Sequence, residues 1–225
     1  MKLLLPIALV AAALPATASA TTYITRAAFN AAVSGVVNDD LNGFASGPIT
    51  TVFGVETIQS GSFAAGGNIV DYGLGFSKAL GGLNATGVNN FDSLVFTFTA
   101  PIYAFAFDNL DLTGSASEYA NVVVTLAGGA VETFALSEID SDFTTAAFFG
   151  FSSATALQSV VVWSSTAPGG AVGSRTNVID NLAISRIATG AVPEPGSWIM
   201  MIAGFGAIGA ALRRRSTHGQ RWHAA

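Results

Sequence analysis

The spacing of apolar and polar positions changes period early in the chain. In residues 25–33, TRAAFNAAV, the period is helical. Phe29 and Val33 fall on one face at i, i+4, Thr25 is placed to cap the first turn, and Gly35 follows the last. This is the only helix the pattern predicts in the body of the chain. From residue 92 onward the period is two. Leu94, Phe96 and Phe98 share one face of 92–99, and Val95, Thr97 and Thr99 share the other. Pro101 is expected to break that strand, because proline has no N–H to give to a ladder. Tyr103, Phe105 and Phe107 then line one face of the next strand, with Ala104 and Ala106 opposite. Residues 121–127 and 130–136 flank Gly128-Gly129, a hairpin signal. Residues 157–163 and 178–187 add two strands, and Gly-rich segments at 60–67, 73–75, 81–87 and 168–173 read as loops. The pattern predicts an all-β fold of seven to ten short antiparallel strands in two packed sheets. That is a β-sandwich or jelly roll with one short N-terminal helix.

Composition adds a compartment. The chain has 225 residues, 51% hydrophobic and only 10% charged, so it is too apolar to be disordered. It contains no cysteine, and a body of this length can bury a core without disulfides. Lys2, the apolar run 3–14 and the small residues around Ala18 and Ala20 read as a secretory signal peptide over 1–20, cut after Ala20. The ectodomain is then 21–187, followed by a linker at 188–192.

Charge is uneven. Residues 21–192 hold thirteen acidic residues against Arg26, Lys78, Arg175 and Arg186, a net charge of −9. An acidic body excludes nucleic acid as a partner, which needs clustered Lys and Arg. Arg213, Arg214, Arg215 and Arg221 form a separate basic end.

The body offers little catalytic chemistry. The only histidines are His218 and His223, so Ser-His-Asp, Cys-His and His-ligated zinc sites have no residues there. The chain is expected not to be an enzyme. A glycoside hydrolase built from two carboxylates is the weakest of three readings. Asp108, Asp111, Asp140, Asp142 and Asp180 stand near strand ends and are candidate calcium ligands, because calcium takes oxygen ligands from such loops. The competing reading is that these residues make turns. A repeated Asp-Asn-Leu, at 108–110 and 180–182, accompanies them. Tyr72, Tyr119 and Trp163 are candidates to stack on a sugar face. Calcium apart, no cofactor is expected.

The C-terminal stretch VPEPGSWIMMIAGFGAIGAALRRR spells GxGxxG at 204–209. A dinucleotide loop needs a preceding strand and a following βαβ unit, and neither has room here. Residues 198–212 are uncharged over 15 positions, about 22 Å of helix at 1.5 Å per residue, against a bilayer core of about 30 Å. A short transmembrane helix is expected at 198–212. Trp198 would sit at one interface and Arg213, Arg214 and Arg215 at the cytoplasmic one. Ala203, Gly206, Ala207 and Ala210 give the small-residue spacing that lets helices pack closely.

Pro193, Glu194 and Pro195, then Trp198, a Gly-rich apolar run and three arginines, resemble the PEP-CTERM sorting signal of Gram-negative bacteria, in its alphaproteobacterial form. The same signal also goes by the name ice-binding-protein C-terminal domain, which implies nothing about ice. The resemblance covers residues 193–215. It implies that an exosortase, a membrane protease-transpeptidase, reads Pro193-Glu194-Pro195. The chain would be held in the cytoplasmic membrane until processed and then reach the cell surface or biofilm matrix. It further implies an association with exopolysaccharide, hence a structural or adhesive role, with a calcium-dependent carbohydrate-binding module as the alternative. Residues 216–225 would form a cytoplasmic tail that the signal does not explain. RAAFNAAV, FFGF at 148–151 and IDNLAIS look like the β-sandwich domains often joined to this signal.

Overall fold

The structure is a computed structural model. It describes residues 20–61, 66–71, 78–82, 92–110, 118–139, 146–172, 178–189, 203–206 and 208. It separates into two units, Met1–Thr189 and Gly190–Ala225.

The first unit runs β1 (Thr21–Tyr23), α1 (Arg26–Ala32), β2 (Val36–Asp39), β3 (Gly47–Ile49), β4 (Glu56–Ser60), β5 (Gly67–Val70) and β6 (Ala79–Gly82). It continues with β7 (Leu94–Leu110), β8 (Glu118–Leu126), β9 (Val131–Ile139), β10 (Ala146–Ser165) and β11 (Val178–Ser185). The strands form one antiparallel sheet in the order β3-β5-β6-β11-β7-β10-β8-β9, with β1 on β10, β2 on β11 and β4 on β7. The expected antiparallel all-β character is therefore present. The strand count is not as expected: eleven occur among the described residues, and β7 and β10 are long, at 17 and 20 residues.

Those two strands organise the molecule. Leu94 and Phe96 are buried near the start of β7, but Phe105 and Phe107 are buried near its end. The inward positions thus change parity between Ile102, still in the main core, and Phe105, while Pro101 is exposed on the outward side. Opposite this point β10 shifts register between Ser152 and Leu157. Pro101 does not break the strand, as the sequence suggested. It lies between Thr97 and Ile102, opposite a second register shift of β10 between Leu157 and Ser159, so its missing N–H is not needed. The sheet bends here and its two halves share one core. One half holds β4, the start of β7, the end of β10, β8 and β9. The other holds β3, β5, β6, β11, the end of β7 and the start of β10. Phe134 of β9 meets Phe149 and Phe151 of β10, each at a ring distance of 5.5 Å, and Phe96 meets Phe105 at 5.0 Å. Of these, the fully buried Phe96, Phe105, Phe149 and Phe151 each contribute about 1.5–3 kcal/mol.

The two outer faces differ. On the second half, Ala104, Ala106 and Ala183 are small enough to let α1 lie close, and Phe29 and Val33 bury against them. The Thr25 hydroxyl accepts from the Ala28 N–H at 3.2 Å, capping α1 as expected. On the first half, the outward side chains form cross-strand rows. Thr57, Thr97, Ser159, Thr125 and Val131 are successive register partners from β4 to β9. One step along the strands, Gln59, Val95, Val161, Val123 and Thr133 make the next row. All ten are exposed or half-buried.

The Gly128-Gly129 hairpin forms, with φ of 100° and 87° at its glycines and Thr125 paired with Val131. Strands β5 and β6 arise partly inside segments read as loops. A Cβ on Gly67 would lie 2.5 Å from Leu80 Cδ1, so this glycine serves close packing inside a strand. The strand expected at 157–163 is only the second half of β10, because FFGFSSATA lacks clear alternation.

In the second unit, residues 203–206 and 208 are helical, with Phe205 and Ile208 exposed. Among the described residues no helix is long and apolar enough to cross a membrane, so the transmembrane helix expected at 198–212 gains no support. Most of that stretch lies outside the described residues, as do Pro193, Glu194, Pro195, Trp198, Arg213, Arg214, Arg215 and Ala18.

Candidate functional site

Beside α1, on the outer face of the second half, the chain leaves a polar cavity of about 670 Å³. Arg26 and Asn30 enter from α1, Asn38 and Asp39 from β2, Asp40 from the turn beyond, Asp108 from β7 and Asn181 from β11. The sequence places them there by simple rules. Arg26 and Asn30 are four apart on one helix face. Asp108 follows Ala104 and Ala106 on the outward face of β7, because Phe105 and Phe107 face the core.

Asn181 arrives by an irregularity. Between Asp180 and Ala183, β11 holds one more residue than β7, a β-bulge. Asn181 takes a left-handed φ of 46°, which asparagine tolerates better than most residues. Its Nδ2 donates to Asp108 Oδ2 at 2.9 Å, and its carbonyl accepts from Arg26 Nη2 at 2.6 Å. Arg26 Nη2 also pairs with Asp108 Oδ1 at 3.0 Å, while Nη1 donates to Asn38 Oδ1 at 3.4 Å. The guanidinium lies 4.9 Å from the Phe148 ring centroid. A three-way lock of arginine, carboxylate and strained asparagine thus fixes one wall before any ligand arrives.

The other wall is acidic. Asp39 Oδ1 accepts from the Leu41 N–H at 2.8 Å, and Asp40 accepts from Asn42 at its N–H and Nδ2. Leu41 also has a left-handed φ, 59°. Lys78 Nζ donates to the carbonyls of Asn42 and Phe44, holding this turn from behind. Asp180 is 6% exposed and is the direct cross-strand partner of Asp108. Burial pushes its carboxyl up from 3.8 to about 6. The Asn181 N–H works against burial, Asp108 and Asp40 add to it, and Arg26 opposes it again.

Of the five calcium candidates, the fold brings together Asp108 and Asp180, the two Asp-Asn-Leu repeats meeting across β7 and β11. Asp111, Asp140 and Asp142 lie outside the described residues. Among the described residues no group of three or more His, Cys, Asp and Glu side chains is placed to hold a metal. Trp163 and Tyr119 lie on β10 and β8, in the first half of the sheet and away from the cavity, and Tyr72 is not described. Arg26, Asn30, Asn38, Asp39, Asp40 and Asn181 were not anticipated. Arg26 did carry a signal: a cation in the first turn opposes the helix dipole, so it needs a partner elsewhere.

Comparison with known proteins reaches a different part of the chain. No curated protein and no solved structure matches it. One family model matches, over residues 191–215, and its description is PEP-CTERM protein-sorting motif. The chain therefore carries a PEP-CTERM sorting motif, the mark of an exported protein whose C-terminal region is processed by an exosortase.

Proposed function

We propose that the chain is a non-enzymatic surface or matrix protein whose two-layered β-sandwich holds extracellular polysaccharide, in a structural or adhesive role. The observation that carries the reading is the sorting motif at 191–215, which directs the sheet unit to the outside of the cell. The Arg26 cavity supports it. Sugars are recognised by carboxylate, amide and guanidinium groups that bond neighbouring hydroxyls, and these groups are already held in place by the Arg26–Asp108–Asn181 lock. In this reading residues 198–212 anchor the chain in the membrane until an exosortase acts at Pro193-Glu194-Pro195.

The test has two arms in the native host. Replacing Pro193, Glu194 and Pro195 by alanine is expected to leave full-length chain in the membrane fraction. Release of the processed product at normal yield would sink the sorting half. Arg26→Ala and Asp108→Asn are expected to weaken retention of the protein in isolated exopolysaccharide, read by sedimentation. Unchanged retention in both would remove the cavity from the proposal.

A second reading, calcium-dependent glycan binding, is favoured by one observation, the facing carboxylates of Asp108 and Asp180. A cation would relieve their repulsion, but Arg26 already does so at Asp108. Calcium is then expected to raise the melting temperature, and EDTA to lower it. No change with either would end the reading. The same two carboxylates are the basis for a hydrolase, and release of reducing ends from the exopolysaccharide would be its sign.

A further inference from the structure

The two outer faces of the sheet are not equivalent, and the difference has no use in the proposal above. One is covered by α1 and carries the charged cavity. The other carries the two cross-strand rows from β4 to β9, and neither row holds an ionisable side chain. In a body with a net charge of −9, ten consecutive outward positions without a charge set this face apart.

The rows also differ from each other. In the first, Thr57, Thr97, Ser159 and Thr125 place four hydroxyls side by side, one strand apart. At about 4.8 Å between strands, they extend over roughly 15 Å. In the second, Val95, Val161 and Val123 form an apolar strip beside them. Trp163, one step further along β10, is half-buried and tethered through its Nε1 to the Gly170 carbonyl at 2.8 Å.

The geometry points to this face as a binding track for an uncharged, extended polysaccharide chain running across the strands. A sugar ring has apolar C–H faces and a rim of hydroxyls. The valine strip and Trp163 match the first, and the threonine and serine row matches the second. Charge complementarity selects a neutral polymer, since the face offers nothing to pair with carboxylates or sulfates. A second copy of the chain fits less well. Five strands about 4.8 Å apart, by three residue steps of about 3.4 Å, give roughly 200 Å², about a quarter of the roughly 800 Å² per partner that a stable dimer buries. The polymer class rests on the matrix reading above; the location does not.

The test is co-sedimentation of the full chain with insoluble cellulose and with alginate, a neutral and an anionic probe. Retention on cellulose is expected to survive 1 M salt, since Coulombic contacts would be screened there. Thr97→Lys places a cation at an exposed site in the track and is expected to weaken retention about tenfold or more, while Thr97→Ser keeps it. Melting temperatures near the parent's show that both variants fold. Retention lost in Arg26→Ala but intact in Thr97→Lys would assign sugar binding to the cavity, overturning the track and sparing the matrix role. No retention on cellulose, or retention on alginate alone that salt abolishes, would overturn the neutral track. A concentration-dependent dimer that Thr97→Lys dissociates would give the face to a second copy and overturn it equally.

Discussion

Asp180 shows how one buried carboxyl sets a pH dependence. In the fold it holds its proton to about pH 6, against 3.8 for an ordinary aspartate, chiefly because it is buried. Between about pH 4 and 6 the folded chain binds more protons at this site than the unfolded one. Its contribution to stability is therefore full below pH 4, declines as pH rises through the window, and is flat above it. Asp180→Asn keeps an acceptor for the Asn181 N–H at 2.6 Å and cannot ionise. The variant is expected to match the parent's melting temperature at pH 4 and to exceed it at pH 7. Parallel melting curves across that range would show that Asp180 does not titrate in the window. This behaviour was not legible in the sequence. In the sequence Asp180 is an acid that opens the last strand, whereas its burial and the facing Asp108 come from a register that only long-range pairing sets. The cavity was hidden for the same reason. Its residues lie at 26–40, 108 and 181, and no local pattern joins them.

At the scale of elements, α1 is the best case for reading sequence directly. Its cap, its length and its buried face follow from TRAAFNAAV, because helix signals are local. Phe29 is fully buried and packs edge-on against Tyr23 at 5.5 Å and beside Phe148 at 5.9 Å. Phe29→Ala is expected to destabilise the fold by about 3–5 kcal/mol, measured by denaturant unfolding. It should also loosen Arg26, three residues away, so cavity-dependent retention should fall with it. A loss below about 1 kcal/mol would mean that α1 is only loosely docked. The long strands were harder to read. A period of two identified both ends of β7, but Pro101 made one bent strand look like two. The parity change, from Leu94 and Phe96 to Phe105 and Phe107, was visible in the sequence and is the signature of the bend. The short strands β1 to β6 hold three to five residues each, too few for alternation to register above the glycines around them.

At the scale of the molecule, address and apparatus lie in separate units. The sorting motif occupies 191–215, in the unit Gly190–Ala225, while every residue of the main core lies between Leu41 and Ile184. The motif was fully legible because it is a linear signal that another protein must read before any fold matters. The core was legible only in class, because its register is non-local. The division carries a physical requirement. If an exosortase removes the C-terminal region, the sheet unit must remain folded without it, with neither disulfide nor anchor to help. Among the described residues the core and the α1 cluster run no further than Ile184, so a chain ending at Thr189 keeps all of those side chains. A chain truncated after Thr189 is expected to melt within about 2 °C of the full-length protein, a shift equivalent to about 0.5–1 kcal/mol for a domain of this size. A fall of more than about 5 °C, measured in the same buffer, would show that the C-terminal unit supports the sheet. Processing would then be a destabilising event rather than a simple release.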